Sequence, residues 1–478
     1  MPKSFAAAPF ATGRGQDRVV QTALWWRTLH DRELNTLITR AIAASPTLAV
    51  ALERVQEARA QEAVFVGMAL PVAGASEGGG LGTGTNLARG RGIEPLRWLR
   101  SGTSTRGYAV VTNVVGFDAA WELDLFGKFR RQIEAAQYDV DAAMAARNVV
   151  LVSLIADVAR AYLDMRALQM QLAVLRKNIK VAQHYVDFVT ERFNRGITNE
   201  LDVTLAQREL AQLQSRVAPL LAQIKAAQYV IAALIGEYPE NLARELARPG
   251  TLRGLPARIQ PGLPIDLLRR RPDIQEAERQ LASATALVGV ATADLFPQVV
   301  LTGAYGWQSG RGFTPGALSS IWSFGPGVNV PILDFGTLDA LVEKADFRTR
   351  ELLFSYKQTV LNAVRDVDTA VTGYAAQQRR RRHLADAVTA AKRAVNLAEQ
   401  RFNRGLIDSL NVIDAQRQEY DLEEQYVLAQ ESEAQQFVQL YKSLGEGWQP
   451  FQFIPPIPPP LPAIAAAAKS LAAPNAAP

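Results

Sequence analysis

The sequence predicts a mainly α chain built as a tandem repeat, with long coiled-coil hairpins interleaved with four β-strands. Three observations predict it. Identical residues recur at a constant offset over more than 100 residues. Two stretches of about 65 residues run with almost no Gly or Pro and carry an apolar heptad. Between them lie short segments rich in Gly, Thr, β-branched and aromatic residues.

The repeat is long. Arg192-Phe193-Asn194-Arg195-Gly196-Ile197 recurs as Arg401-Phe402-Asn403-Arg404-Gly405-Leu406, an offset of 209. At that offset Phe126-Gly127 meets Phe335-Gly336, Asp157-Val158 meets Asp366-Val367, and Gly236 meets Gly445. Upstream the offset is 226, where Pro46 meets Pro272 and Pro71 meets Pro297. A register held this long marks an internal duplication.

Each copy reads helix, strand, strand, long helix, tip, returning helix. Asp31 to Ala69 is rich in Ala, Leu, Glu and Arg and reads as one helix, with Ile265 to Leu295 as its counterpart. Strands follow at about 70–82 and 107–123 in the first copy, and at about 297–308 and 320–333 in the second. Gly-rich loops are expected at Gly74–Gly107 and Ser309–Leu318. From Lys128 to Arg192 there is no Gly or Pro, a rod of about 97 Å at ~1.5 Å per residue. Its seam is Leu154, Val158, Ala161, Met165, Leu168, Leu172, Leu175 and Ile179. From Thr337 to Arg401 only Gly373 intervenes, and Leu384, Val388, Ala391, Val395, Ala398 and Phe402 repeat the spacing. The rods stop at glycines suited to a left-handed turn, with tips near 194–199 and 403–409. Asn199 and Asp408-Ser409 are the expected N-caps of the returning helices. The divisions are an N-terminal extension 1–24, a first repeat 25–242, an irregular connector 243–264, a second repeat 265–448 and a Pro/Ala-rich tail 449–478.

Composition narrows the function. Net charge is +5 from 52 basic and 47 acidic residues, too balanced to indicate nucleic-acid binding. Cysteine is absent, and His30, His184 and His383 are scattered, so no metal site or cysteine nucleophile is expected. The Gly-rich loop lacks a phosphate-binding pattern, and no carboxylate pair stands out. No catalytic residue and no cofactor is therefore expected. No uninterrupted run of 18 apolar residues occurs, which argues against a transmembrane helix but leaves a β-barrel open. Four strands cannot close a barrel, which needs at least ~8. Either several chains share one barrel, or the strands form a small covered sheet on a soluble helical scaffold.

One long motif speaks to that choice. Leu263-Pro264-Ile265-Asp266-Leu267-Leu268-Arg269-Arg270-Arg271-Pro272-Asp273-Ile274 resembles the LPxDLLRRRPDI signature of TolC-like outer-membrane efflux proteins of the NodT type, which are lipoproteins of resistance-nodulation-division efflux systems. Trp25-Trp26, the Trp121-Glu122-Leu123-Asp124-Leu125-Phe126-Gly127 segment and Gly445-Glu446-Gly447-Trp448 match as well. The resemblance spans about Trp25 to Trp448. It implies a mainly α fold with a membrane β-barrel, a homotrimer whose twelve strands form one barrel on an α-helical tunnel. It places the barrel in the outer membrane, the tunnel in the periplasm and segment 243–264 in an equatorial domain. It further implies a passive exit duct for small molecules or drugs. The implied partners are outer-membrane lipid, a periplasmic adaptor and an inner-membrane resistance-nodulation-division pump; a type I secretion duct is the alternative on the same fold. Relatives begin with a signal peptide and a lipobox cysteine; Met1 to Gln16 shows neither, so a preceding segment is expected.

The resemblance also implies site residues. Asp414 matches the family's aperture aspartate and Leu410, one turn earlier on the same helix face, its apolar ring. Arg195, Gly196, Ile197 and Arg404, Gly405, Leu406 match the tips where adaptor hairpins dock. Trp98, Tyr108, Trp307 and Trp322 are candidates for an interfacial girdle. The run Arg379 to His383 reads as a solvated helix face.

Overall fold

The structure, a computed structural model, describes residues 23–83, 109–252, 255–256, 264–311 and 318–451. Trp98, Tyr108, most of the extension, most of the tail and much of the first Gly-rich loop lie outside them. Two compact units separate. One holds the described residues of Met1–Glu53, Met144–Gln275 and Lys357–Ile454, the other those of Arg54–Ala143 and Glu276–Tyr356.

Each repeat opens on a broken helix rather than one rod. The first has α1 (Arg32–Ala44) and α2 (Pro46–Met68); the second has α7 (Leu267–Arg270) and α8 (Pro272–Ala293). The breaks fall at Ser45 and Arg271, both extended, each directly before one of the aligned prolines. A proline ring clashes with a helical residue before it, so both copies break for the same reason. Asp31 caps α1, its Oδ1 accepting from the Glu33 and Leu34 amides at 2.9 and 3.2 Å.

The strands are β1 (Val72–Thr83), β2 (Ala109–Leu123), β3 (Gln298–Arg311) and β4 (Leu318–Asn329), in one antiparallel sheet of order β1-β2-β3-β4. β1 runs into the glycines expected as loop, and β3 and β4 enter both ends of the second expected loop. Gly116 and Gly306 face each other across β2 and β3. A Cβ on Gly116 would lie 2.8 Å from the Tyr305 carbonyl oxygen, and one on Gly306 2.7 Å from that of Val115. There glycine is demanded by backbone approach, not by a turn.

The sheet has two unlike faces, since side chains alternate along a strand. Val115, Phe117 and Trp121 of β2 share one face with Trp307 and Tyr305 of β3 and Trp322 and Phe324 of β4, all exposed. The opposite face carries Gly116, Asp118, Ala120 and Glu122 beside Thr302, Ala304 and Gly306.

The long helices are α3 (Lys128–Asn194) and α9 (Thr337–Asn403), continuous through Gly373. Both start on an aspartate: Asp124 accepts from the Phe129 and Arg130 amides, Asp334 from the Gly336 and Leu338 amides. The returning helices differ. The second copy has one, α10 (Ser409–Ser443), whereas the first has α4 (Glu200–Ser215) and α5 (Val217–Ile235), interrupted at Arg216 and followed by the short α6 (Pro239–Ala243). Pro219 has no N–H for the Ser215 carbonyl, and its ring crowds that turn.

Leu154, Val158, Met165, Leu172 and Leu175 of the first seam are buried, as are Val388, Val395 and Phe402 of the second. Stretches of Lys128–Asn194 and Glu200–Ile235 are apolar enough to cross a membrane by length and composition, which uninterrupted apolar runs did not reveal. In the first, Leu151, Leu154, Ile155 and Val158 are spent on packing. Around Trp25 an aromatic core forms, stacked on Tyr441 at 5.3 Å and edge-on to Phe437 at 5.9 Å. The arginine-rich signature is a latch onto the Gly445–Trp448 stretch. Arg270 pairs with Glu446 at 3.0 Å, the Trp448 indole donates to the Arg270 carbonyl at 2.9 Å, and Arg271 donates to the Ser443 carbonyl at 2.8 Å.

Candidate functional site

The two tips are built alike. In each, the long helix ends on a glycine with positive φ, +74° at Gly196 and +72° at Gly405. The Ile197 and Leu406 amides reach back to the Arg192 and Arg401 carbonyls, both at 2.9 Å, while the glycine amides bond Phe193 and Phe402, both at 2.8 Å. These are Schellman closures. Nothing lies within 4 Å of a Cβ built on either glycine, so the backbone angle alone selects them.

The residues after the glycines are apolar and open to solvent: Ile197 is 58% and Leu406 61% exposed. Arg195 is exposed and pairs with Glu191 one turn back; Arg404 is exposed as well. Each tip thus presents one arginine, a glycine turn and one aliphatic side chain.

On α10, Val412 and Ile413 are buried, whereas Leu410 and Asp414 lie on the exposed side. The four-residue spacing puts Leu410 and Asp414 one above the other. Asp414 Oδ2 accepts from Gln418 Nε2 at 2.8 Å, which orients the carboxylate along the helix.

Sequence reasoning missed what joins the tips. Ser409 Oγ donates to Asp202 Oδ1 at 2.6 Å, linking α10 to α4 across 207 residues of chain. Thr198 donates to the other Asp202 oxygen, and Asn199 caps α4 through the Asp202 amide at 3.0 Å. Burial pushes the Asp202 carboxyl up. The bonds from Ser409, Thr198 and the Asn199 backbone, with Arg192 nearby, outweigh it and hold the carboxyl below its usual range. Beside this link Tyr185 donates to the Ser409 carbonyl at 3.2 Å, its phenol pushed up to about 12 by burial. The Arg192 guanidinium lies 5.0 Å from the Phe402 ring centre. Asp408 occupies the N-cap position of α10, but its side chain makes no capping bond; Asn199 is the capping side chain of the pair.

Higher on the hairpin, Glu423 of α10 is buried and meets Lys177 of α3 at 3.0 Å and Lys392 of α9 at 2.9 Å. One carboxylate therefore ties α10 to both long helices. Within the run Arg379 to His383, Arg381 departs from a solvated face by pairing with the buried Glu433. Among the described residues no group of His, Cys, Asp and Glu is placed to hold a metal ion.

Comparison with known proteins gives this geometry a family. The outer membrane efflux protein family matches residues 37–237 and 263–446, one segment in each repeat. Nodulation protein T of Rhizobium leguminosarum bv. viciae is 31% identical over 406 residues, covering 84% of this chain and 79% of that one. The pyoverdine export outer membrane protein OpmQ of Pseudomonas putida is 33% identical over 429 residues, covering 89% and 88%. Among solved structures, the outer-membrane channel OprN superposes with a TM-score of 0.83 at 33% identity, covering 94% of this chain and 97% of that one. The two-faced sheet and the paired helical tips are thus those of an outer-membrane channel, and the chain belongs to the outer membrane efflux protein family.

Proposed function

We propose that three copies of this chain share one twelve-stranded barrel and form the outer-membrane duct of a tripartite efflux system. The observation that carries this is the open four-stranded sheet with one aromatic, exposed face. Lipid tolerates no unpaired strand edge. The free edges of β1 and β4 are therefore satisfied when β4 of one copy pairs with β1 of the next, and three copies reach a closed barrel of ordinary size. The aromatic face then meets outer-membrane lipid and the small-residue face lines the lumen. Trp307 and Trp322, both exposed on that outer face, suit an interfacial girdle.

The duct is passive. Small molecules are delivered by an inner-membrane pump of the resistance-nodulation-division class through a periplasmic adaptor, in keeping with the export names that relatives carry. The adaptor docks at the tips, where Arg195, Gly196, Ile197 and Arg404, Gly405, Leu406 present matched charge and apolar surface. Leu410 and Asp414 form the periplasmic gate: threefold symmetry turns Leu410 into an apolar ring and Asp414 into three carboxylates that attract cations.

Conductance in planar bilayers tests the gate. Asp414→Ala is expected to raise the conductance of the closed channel and abolish its block by divalent cations. Unchanged conductance and unchanged cation sensitivity would remove Asp414 from the gate.

A further inference from the structure

The two repeats meet once inside the chain and leave an edge open on each side, and the duplication identifies the residues at those edges. The offsets hold into the sheet without a slip. Val72 pairs with Ala120 at one end of β1–β2, and their counterparts Gln298 and Asn329 pair at the corresponding end of β3–β4. They hold in the helices too: α3 and α9 start and end at equivalent residues, and Pro46 and Pro272 open α2 and α8. At the junction within the chain β3 pairs with β2, and α8 meets α3. Arg279 of α8 lies 3.7 Å from Asp141 of α3 and 6.0 Å from the Tyr138 ring centre. Lys128 pairs with Asp294 at 2.8 Å, and Phe126 stacks on Phe296 at 4.8 Å. On the open edges the counterparts of Arg279 and Asp141 are Glu53 and Arg350, the same pair with its charges exchanged, and Phe347 stands for Tyr138. Glu53, Arg350 and Phe347 are all exposed. Phe335, the counterpart of the stacked Phe126, is 90% exposed, and Leu70 stands for Phe296. Thr337 and Met68 stand for Lys128 and Asp294, so that ion pair has no charged counterpart.

We infer that a charge-reversed copy of this junction joins neighbouring chains: Arg350 of α9 pairs with the partner's Glu53 on α2, and Phe335 seats on the partner's Leu70. The inference rests on the shared-barrel reading above. The reversal decides which repeat accepts which. Were α2 of another copy to take the place of α8 on α3, Glu53 would face Asp141. Were α8 of another copy to take the place of α2 on α9, Arg279 would face Arg350. Both exchanges set like charges together, whereas the two correct junctions are each attractive, so specificity comes from repulsion as well as attraction. Within its own chain Arg350 meets Asp346 one turn back at 2.6 Å, with both side chains largely in water, which leaves the guanidinium open to a second carboxylate. A single exposed pair is weak, but threefold symmetry supplies three of them.

The test uses the full chain, with trimer read as the heat-resistant species recovered from outer membranes in detergent. Glu53→Arg and Arg350→Glu, each at an exposed site, are each expected to lower that recovery about eightfold, three junctions contributing about twofold apiece. The chain carrying both changes regains attraction at every junction between copies, while its own α8 stays tethered to α3 through the β2–β3 pairing. It is expected to return to within about twofold of the unaltered level, the signature of direct coupling in a double-mutant cycle. Single variants that trimerise as well as the unaltered chain would overturn the pairing. So would losses in the single variants that the combined change does not repair. Absence of trimer from the unaltered chain would overturn the shared-barrel reading itself.

Discussion

At the scale of residues, glycines of one backbone conformation do different jobs. Gly405 turns a helix into open space, whereas Gly445 has φ of +70° and would place a Cβ 2.7 Å from the Cα of Arg271. Gly405→Ala is therefore expected to cost about 1–2 kcal/mol, confined to the tip. Gly445→Ala adds a collision with the signature latch and is expected to lower the unfolding temperature of the helical unit by more than twice as much. Equal losses in a thermal melt would contradict this. Asp202 gives a pH dependence of known sign. Its carboxyl is held below the usual range, so its contribution is present above the unfolded pKa of about 3.9 and is lost as pH falls through the folded value. Asp202→Ala should speed amide exchange in the 199–215 helix and at Ser409 near neutral pH, and the difference from wild type should vanish in strong acid.

At the scale of elements, much was legible. The constant offset placed both tips, runs almost free of Gly and Pro with apolar seams placed both long helices, and Gly-, Thr- and aromatic-rich composition placed four strand segments. The breaks at Ser45, Arg271 and Arg216 were legible in principle, since each is written in a proline one or three residues on. The Asp202–Ser409 bond and the Glu423 clamp were not. The Asp202–Ser409 and Glu423–Lys177 contacts join residues more than 200 apart, and neither copy alone contains both partners; only Glu423–Lys392 lies within one copy.

The helices also carry a proton-linked contact. The Glu431 carboxyl of α10 is raised to about 7, first by burial and then by its hydrogen bond to Asp164 of α3. A raised acid stabilises the fold below its unfolded pKa of about 4.3 and loses that contribution as pH rises through the folded value. Chemical denaturation of the helical unit should show stability declining between about pH 4 and 7, and Glu431→Gln should flatten that decline. A slope unchanged by the substitution would refute the assignment. In the sheet, register makes a sharper forecast. Phe324→Lys puts a charge on the lipid face and should cost about 2–4 kcal/mol. Ser323→Lys, one residue away on the other face, should cost far less. Recovery of heat-resistant assemblies from outer membranes reads the difference, and a greater loss for Ser323→Lys would mean the faces are assigned the wrong way round.

At the scale of the whole molecule, features of the family signature divide by task. The Leu263–Ile274 motif, Trp25-Trp26 and the Gly445–Trp448 stretch build the latch and aromatic core, and none of them forms part of a tip or of the sheet. The transport surfaces proposed above lie mostly elsewhere, on two exposed tips, one face of α10 and one face of the sheet, to which only the matching Trp121–Gly127 segment contributes. The near-balanced charge fits that division, because the surfaces that matter acquire their charge by symmetry. A single Asp414 is ordinary; in the trimer proposed above it becomes a ring of three carboxylates.

The claim underlying all of this is that one chain supplies a third of a barrel. Native mass spectrometry of the full-length gene product extracted from outer membranes tests it most directly. The account predicts a species of three chain masses that persists in detergent and falls to single chains only when the sheet is denatured. A monomer recovered from the soluble fraction, or a membrane species of any other stoichiometry, would contradict it.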